Sequence, residues 1–182
     1  MKILDRLPYW TERAPPVVVS GQPMPVRRYQ VIVWLSISVH RSVEWDSRTP
    51  VFPAILDTGN NFTLALFRKQ LIQWAGLHPQ LLPELGRIRE GGKVYPCHEA
   101  RVWLHSNVPG RSDRRGDRPP LRLSLAEGIV VIPDAGPRRP HLPLLGLRAL
   151  TENNLHLLID GQRRQVSLRT PDWRTRLFRW IW

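Results

Sequence analysis

The chain has 182 residues, 42% of them apolar, with 27 Lys and Arg against 15 Asp and Glu for a net charge of +12. That length holds one domain with a core of its own, and a single cysteine excludes an internal disulfide. The longest apolar-rich run, Val31 to Val39, is far short of a bilayer span, and no apolar stretch after Met1 reads as a leader, so a reducing, cytoplasmic compartment is expected. The excess charge is nearly all Arg and would favour anionic partners. It is spread along the chain with no stretch resembling a basic recognition helix, which argues against nucleic acid.

Residues 1–25 carry Pro8, Pro15, Pro16, Pro23 and Pro25 and are expected to form an extended, Pro-rich arm, with Val17-Val18-Val19 as an edge strand suited to a dimer interface. In the next segment Val31, Val33, Leu35, Ile37 and Val39 alternate with other residues, which predicts a half-buried strand. Val51 to Leu56 is apolar throughout and reads as a buried strand. Residues 64–75 place apolar side chains at helical spacing up to Gly76, a suitable terminus.

A Pro-interrupted connector over 77–85 leads to a predicted hairpin with Gly91-Gly92 at its tip, then to a strand in which Ala100, Val102 and Leu104 alternate with Arg101, Trp103 and His105. Residues 108–120 form a polar, arginine-rich loop. Strands follow at 121–125 and 129–132, and 133–140 links them to the apolar run Leu142–Leu150, which breaks at Gly146 into a short helix. Residues 155–162 and 165–168 predict a second hairpin, turning at Asp160-Gly161. The tail, 169–182, interleaves Trp173, Trp180 and Trp182 with Arg174, Arg176 and Arg179. A membrane-surface segment, a protein-docking segment and a packed terminal element are all compatible with that composition.

Chemistry concentrates at Ile55-Leu56-Asp57-Thr58-Gly59. A carboxylate at the end of an apolar strand is costly to bury unless it is hydrogen-bonded or shares a proton. Thr58 offers a hydroxyl for support, and Gly59 permits a sharp turn and close approach. Other schemes are weaker. Cys97 and His98 are neighbours on a strand and so point to opposite faces, and the six His and one Cys show no paired ligand spacing, so neither a metal nor another cofactor is expected.

In order and spacing, Ile55 to Gly59, the hairpin about Gly91-Gly92 and the segment Leu144 to Leu150 resemble the retropepsin-like aspartic proteases. These are the single-lobed relatives of pepsin that include the retroviral protease. The resemblance covers residues 26–168 and implies an all-β, closed acid-protease fold with one or two short helices. It departs from the family at Asn60, where a small residue is usual, and at Arg148, where Asp or Asn is usual.

The resemblance further implies an aspartic endopeptidase with Asp57, Thr58 and Gly59 as its catalytic segment. Asn60, Asn61, Gly91, Gly92 and Tyr95 would line the cleft of a peptide or protein substrate. Such enzymes use two carboxylates sharing one proton, and this chain holds one Asp-Thr-Gly. Asp160-Gly161 lacks the hydroxyl, and Asp134-Ala135-Gly136 has Ala in its place. The second carboxylate must then come from Asp57 of another copy, making the protein a homodimer. The rival from another class is a non-catalytic dimer on the same fold that binds an acidic partner. Asn60 and Arg148 favour it, and the retained Asp57-Thr58-Gly59 disfavours it.

Overall fold

The structure, a computed structural model, describes residues 1–134 and 141–171. It is built predominantly of strands: β1 (Lys2–Pro8), β2 (Val17–Val19), β3 (Gln22–Met24), β4 (Val31–Val39), β5 (Val51–Asp57), β6 (Leu64–Phe67), β7 (Glu84–Glu90), β8 (Lys93–His98), β9 (Ala100–His105), β10 (Leu121–Leu123), β11 (Ile129–Ile132), β12 (Leu144–Gly146), β13 (His156–Asp160) and β14 (Gln165–Arg169). Among the described residues, helices are confined to α1 (Arg68–Ala75), α2 (Leu147–Glu152) and a 3-10 turn, Pro79–Leu81. An all-β architecture with two short helices is therefore present. Among the described residues no helix is long and apolar enough to cross a membrane.

The main sheet has nine strands in the order β10-β9-β4-β5-β12-β6-β11-β8-β7. A second sheet, β1-β14-β13, and the short β2-β3 pair complete the framework. Two parallel pairings, β5 with β12 and β6 with β11, interrupt an otherwise antiparallel sheet. Parallel neighbours need a crossover, and these crossovers bring segments distant in sequence to the end of β5.

Strand β4 is buried on both faces rather than half-buried as its alternation predicts. Val31, Val33, Leu35 and Ile37 point into the principal core, while Ile32 joins Ala14, Val19, Met24, Val26, Ile55 and Leu142 in a second cluster. Residues of the N-terminal segment supply the cover for that second face. The Pro-rich segment 1–25 thus packs on the sheet, with Val17–Val19 in a strand as expected. Strand β1 pairs with β14, and Ile3, Leu4 and Leu7 are buried in the principal core. Register shifts between Lys2 and Leu4 and between Leu4 and Leu7 break the period of two, and Arg6 adopts φ 52°, so no alternation was visible.

The helix expected over 64–75 also starts later. Leu64–Phe67 is strand β6, paired with β12 on one side and β11 on the other. Four consecutive apolar residues satisfy a strand buried on both faces as well as a helix. The helix proper begins at Arg68, where the Gln70 side chain accepts the backbone N–H of Phe67 at 2.8 Å, and it ends at Gly76 in the left-handed conformation, φ 67°. The expected loop at 133–140 and the Trp/Arg tail beyond 171 lie largely outside the described residues.

One polar pair inside this framework carries a pH dependence. Ser36 on β4 and His105 on β9 are buried with the hydroxyl and the imidazole Nε2 2.9 Å apart, and Trp45 packs edge-on to the imidazole. Burial, assisted by the charge of Arg115, pushes the His105 pKa down from 6.5 to about 4. The unfolded chain therefore takes up this proton first. Stability contributed at this site is intact above pH 6.5 and is lost as pH falls toward about 4. The full loss is at most about 3 kcal/mol. His105→Gln is expected to flatten the dependence of urea-unfolding free energy on pH across that window. An unchanged slope would contradict the assignment.

Candidate active site

Asp57 ends β5 and is half-buried there, held from both sides: Leu56 is registered opposite Val31 of β4 and Asp57 itself opposite Gly146 of β12. The chain then folds back on itself, the Asn60 N–H donating to the Asp57 carbonyl oxygen at 3.2 Å. The Gly59 N–H donates to Asp57 Oδ1 at 3.0 Å, the one hydrogen bond to this carboxylate among the described residues. Support for the carboxylate thus comes from the backbone of Gly59. Thr58, expected to supply it, is exposed and makes no side-chain bond within the described chain.

Segment 60–63 crosses directly over Gly146. The Gly146 N–H donates to the carbonyl oxygen of Thr63 at 2.9 Å, and a Cβ added at Gly146 would collide with the carbonyl oxygen of Phe62 and come within 2.9 Å of that of Asn60. The glycine is required here by close backbone approach, since its φ of −84° suits any residue. Gly59 differs. Its added Cβ would meet only Asp57 Oδ1, at 3.4 Å, so nothing else in the described chain crowds this position.

Asn60 turns its amide into the loop. Its Oδ1 accepts the Phe62 N–H at 3.3 Å, and its Nδ2 donates to the Leu144 carbonyl oxygen at 3.4 Å. Neither bond reaches the Asp57 carboxylate, and this side chain braces the loop against β12. Arg148, the other departure, reaches Glu127 before β11 at 2.6 Å and Glu152 within α2 at 3.7 Å. The hydrogen bond to Glu127 raises its pKa above the usual arginine value.

Strands β7 and β8 form the predicted hairpin. Glu90 pairs with Lys93, and Gly91 and Gly92 occupy the turn with φ 55° and 75°. A two-residue turn with both φ values positive matches the right-handed twist of its strands and favours glycine at both places. Ile88 and Tyr95, opposite one another, face inward against a cluster of Phe62, Ala65, Cys97 and Val130. Tyr95 meets Phe62 edge-on, ring centroids 6.0 Å apart. Tyr95 is therefore a half-buried anchor midway along the hairpin, while Gly91 and Gly92 are exposed at its tip.

Comparison of the chain with protein-family models, curated proteins and solved structures finds no match. The site must be argued from its own geometry. Among the described residues no three His, Cys, Asp or Glu side chains gather as a metal-binding group.

One contact joins hairpin and Asp57 loop, and no local pattern in either segment points to it. Asn61 Nδ2 donates to Glu90 Oε1 at 2.9 Å. The bond is exposed and spans the gap between the loop after Gly59 and the residue before the hairpin tip. A contact of this kind is worth about 1 kcal/mol. Glu90→Ala and Asn61→Ala are each expected to speed hydrogen exchange at the tip amides about fivefold and leave global unfolding unchanged. Equal exchange in wild type and variants would remove the contact from the account.

Proposed function

We propose that the protein is an aspartic endopeptidase of the retropepsin-like kind, a homodimer whose catalytic dyad is Asp57 from each of two copies. The observation that carries the reading is the placement of Asp57. It closes an apolar strand, its Oδ1 is held by the Gly59 N–H, and its loop is clasped over Gly146 of the closing segment.

With two such carboxylates at close range, repulsion leaves one proton shared between them. The ionised member takes a proton from water as the water oxygen attacks the peptide carbonyl carbon. The protonated member donates to the carbonyl oxygen, giving a tetrahedral intermediate that collapses with protonation of the leaving nitrogen. Thr58, exposed within one chain, is then available to brace the facing loop, and the open space at Gly59 is available for its approach. The hairpin tip at Gly91 and Gly92 closes over an extended peptide, which adds backbone hydrogen bonds in the manner of a strand.

Incubation of the full chain with a mixed peptide library at several pH values, with and without pepstatin, tests the reading. Endoproteolytic cleavage blocked by pepstatin is expected. A dimer that cleaves no peptide at any pH would favour the binding-module alternative.

A further inference from the structure

Every open sheet needs some device at its edges, because an edge strand presents unpaired N–H and C=O groups to any other strand. In the two larger sheets, three of the four edges have one. Strand β1 carries Lys2 and Arg6 and is broken by two register shifts, β7 carries Arg87 and Arg89, and β10 is three residues long with Arg122 at its centre. Strand β13 has none of these. It reads His156-Leu157-Leu158-Ile159-Asp160, with no Lys, Arg or Pro, and pairs with β14 in unbroken register from His156↔Arg169 to Asp160↔Gln165. Among the described residues nothing pairs with its other side. Two of its three apolar residues are left in solvent, Ile159 being 66% exposed and Leu158 41%, while Leu157 packs against the core.

We infer that β13 pairs antiparallel with β13 of a second copy, about a two-fold axis through Leu158, joining two three-stranded sheets into one of six strands. The sequence of the strand is complementary to itself in this register. Leu158 lies opposite the partner's Leu158, Leu157 opposite the partner's Ile159, and His156 opposite the partner's Asp160. Apolar residues thus meet apolar ones, and an imidazole meets a carboxylate across each end, as favourable cross-strand pairs require. A slip of one residue breaks the imidazole–carboxylate match and sets a polar residue opposite an apolar one. Charge selects the same edge. Two chains of net charge +12 repel one another, and a two-fold contact sets like surface against like. A strand free of Lys and Arg adds no cation of its own to that repulsion. The pairing is argued from the edge itself; that it serves to bring two Asp57 loops together rests on the peptidase reading above.

Cross-linking in the full chain tests the register. Residues directly opposite in an antiparallel pair have Cα atoms about 4.5–5.5 Å apart, within the about 4.4–6.8 Å that a disulfide spans. The native Cys97 is buried and does not compete. Leu158→Cys is expected to form a covalent dimer under mild oxidation. His156→Cys and Asp160→Cys should each do so poorly alone and efficiently when mixed. Ile159→Arg, a change at an exposed position, should shift the light-scattering mass from dimer to monomer. The inference is overturned if Leu158→Cys stays uncross-linked, or if Ile159→Arg remains a dimer. A pepstatin-sensitive dimer that fails to cross-link would remove this interface and leave the peptidase reading standing. A dimer cross-linked through Leu158 that cleaves no peptide would do the reverse.

Discussion

Asp57→Asn is expected to lower peptide hydrolysis by at least about 10³-fold while leaving the fold intact. The amide is nearly the same size as the carboxyl, and its oxygen can still accept the Gly59 N–H that now reaches Oδ1 at 3.0 Å. It cannot titrate, so neither the attack of water nor the polarisation of the peptide carbonyl is served. Half-buried at the end of β5, the side chain is no part of the hydrophobic clusters. Circular dichroism and the unfolding midpoint should therefore match wild type. Turnover near the wild-type level would eliminate the aspartic mechanism.

Gly146→Ala should cost roughly 3 kcal/mol of stability. The added methyl group would strike the Phe62 carbonyl oxygen and lie 3.1 Å from its carbon. Neither side can give way cheaply. Strand β12 is paired with β5 and β6 at once, and the crossing segment is tied to Gly146 through the Thr63 carbonyl. Urea unfolding measures the loss, with Gly161→Ala as the control, since nothing lies within 4 Å of a Cβ there. Because the collision displaces the loop carrying Asp57, peptide hydrolysis should fall in the folded fraction as well. Wild-type stability in Gly146→Ala would show that the loop does not clasp β12 as described.

Residues whose local chemistry admits one conformation were the legible ones. The apolar strand ending at Asp57, the double glycine of the hairpin tip and the break at Gly146 all lie where composition and turn chemistry agree. Strand β6 replaces the expected helix because Leu64-Ala65-Leu66-Phe67 is apolar on every face, a pattern that periodicity cannot resolve. Strand β1 carries no such signal because its bulges place Ile3, Leu4 and Leu7 inward without alternation. Within the site, the directions of the Thr58, Asn60 and Tyr95 side chains are set by tertiary contacts that no local pattern encodes. The Asn61–Glu90 bond joins residues 29 apart, and nothing in either segment alone announces it.

A dyad shared between two copies has a consequence that a self-sufficient site lacks. Wild-type protein and Asp57→Asn, mixed at fixed total concentration and allowed to exchange subunits, form hybrids holding one carboxylate. If both Asp57 side chains are required, hydrolysis of a cleaved peptide falls as the square of the wild-type fraction. A linear fall would show that each chain works alone, and would contradict the shared dyad directly.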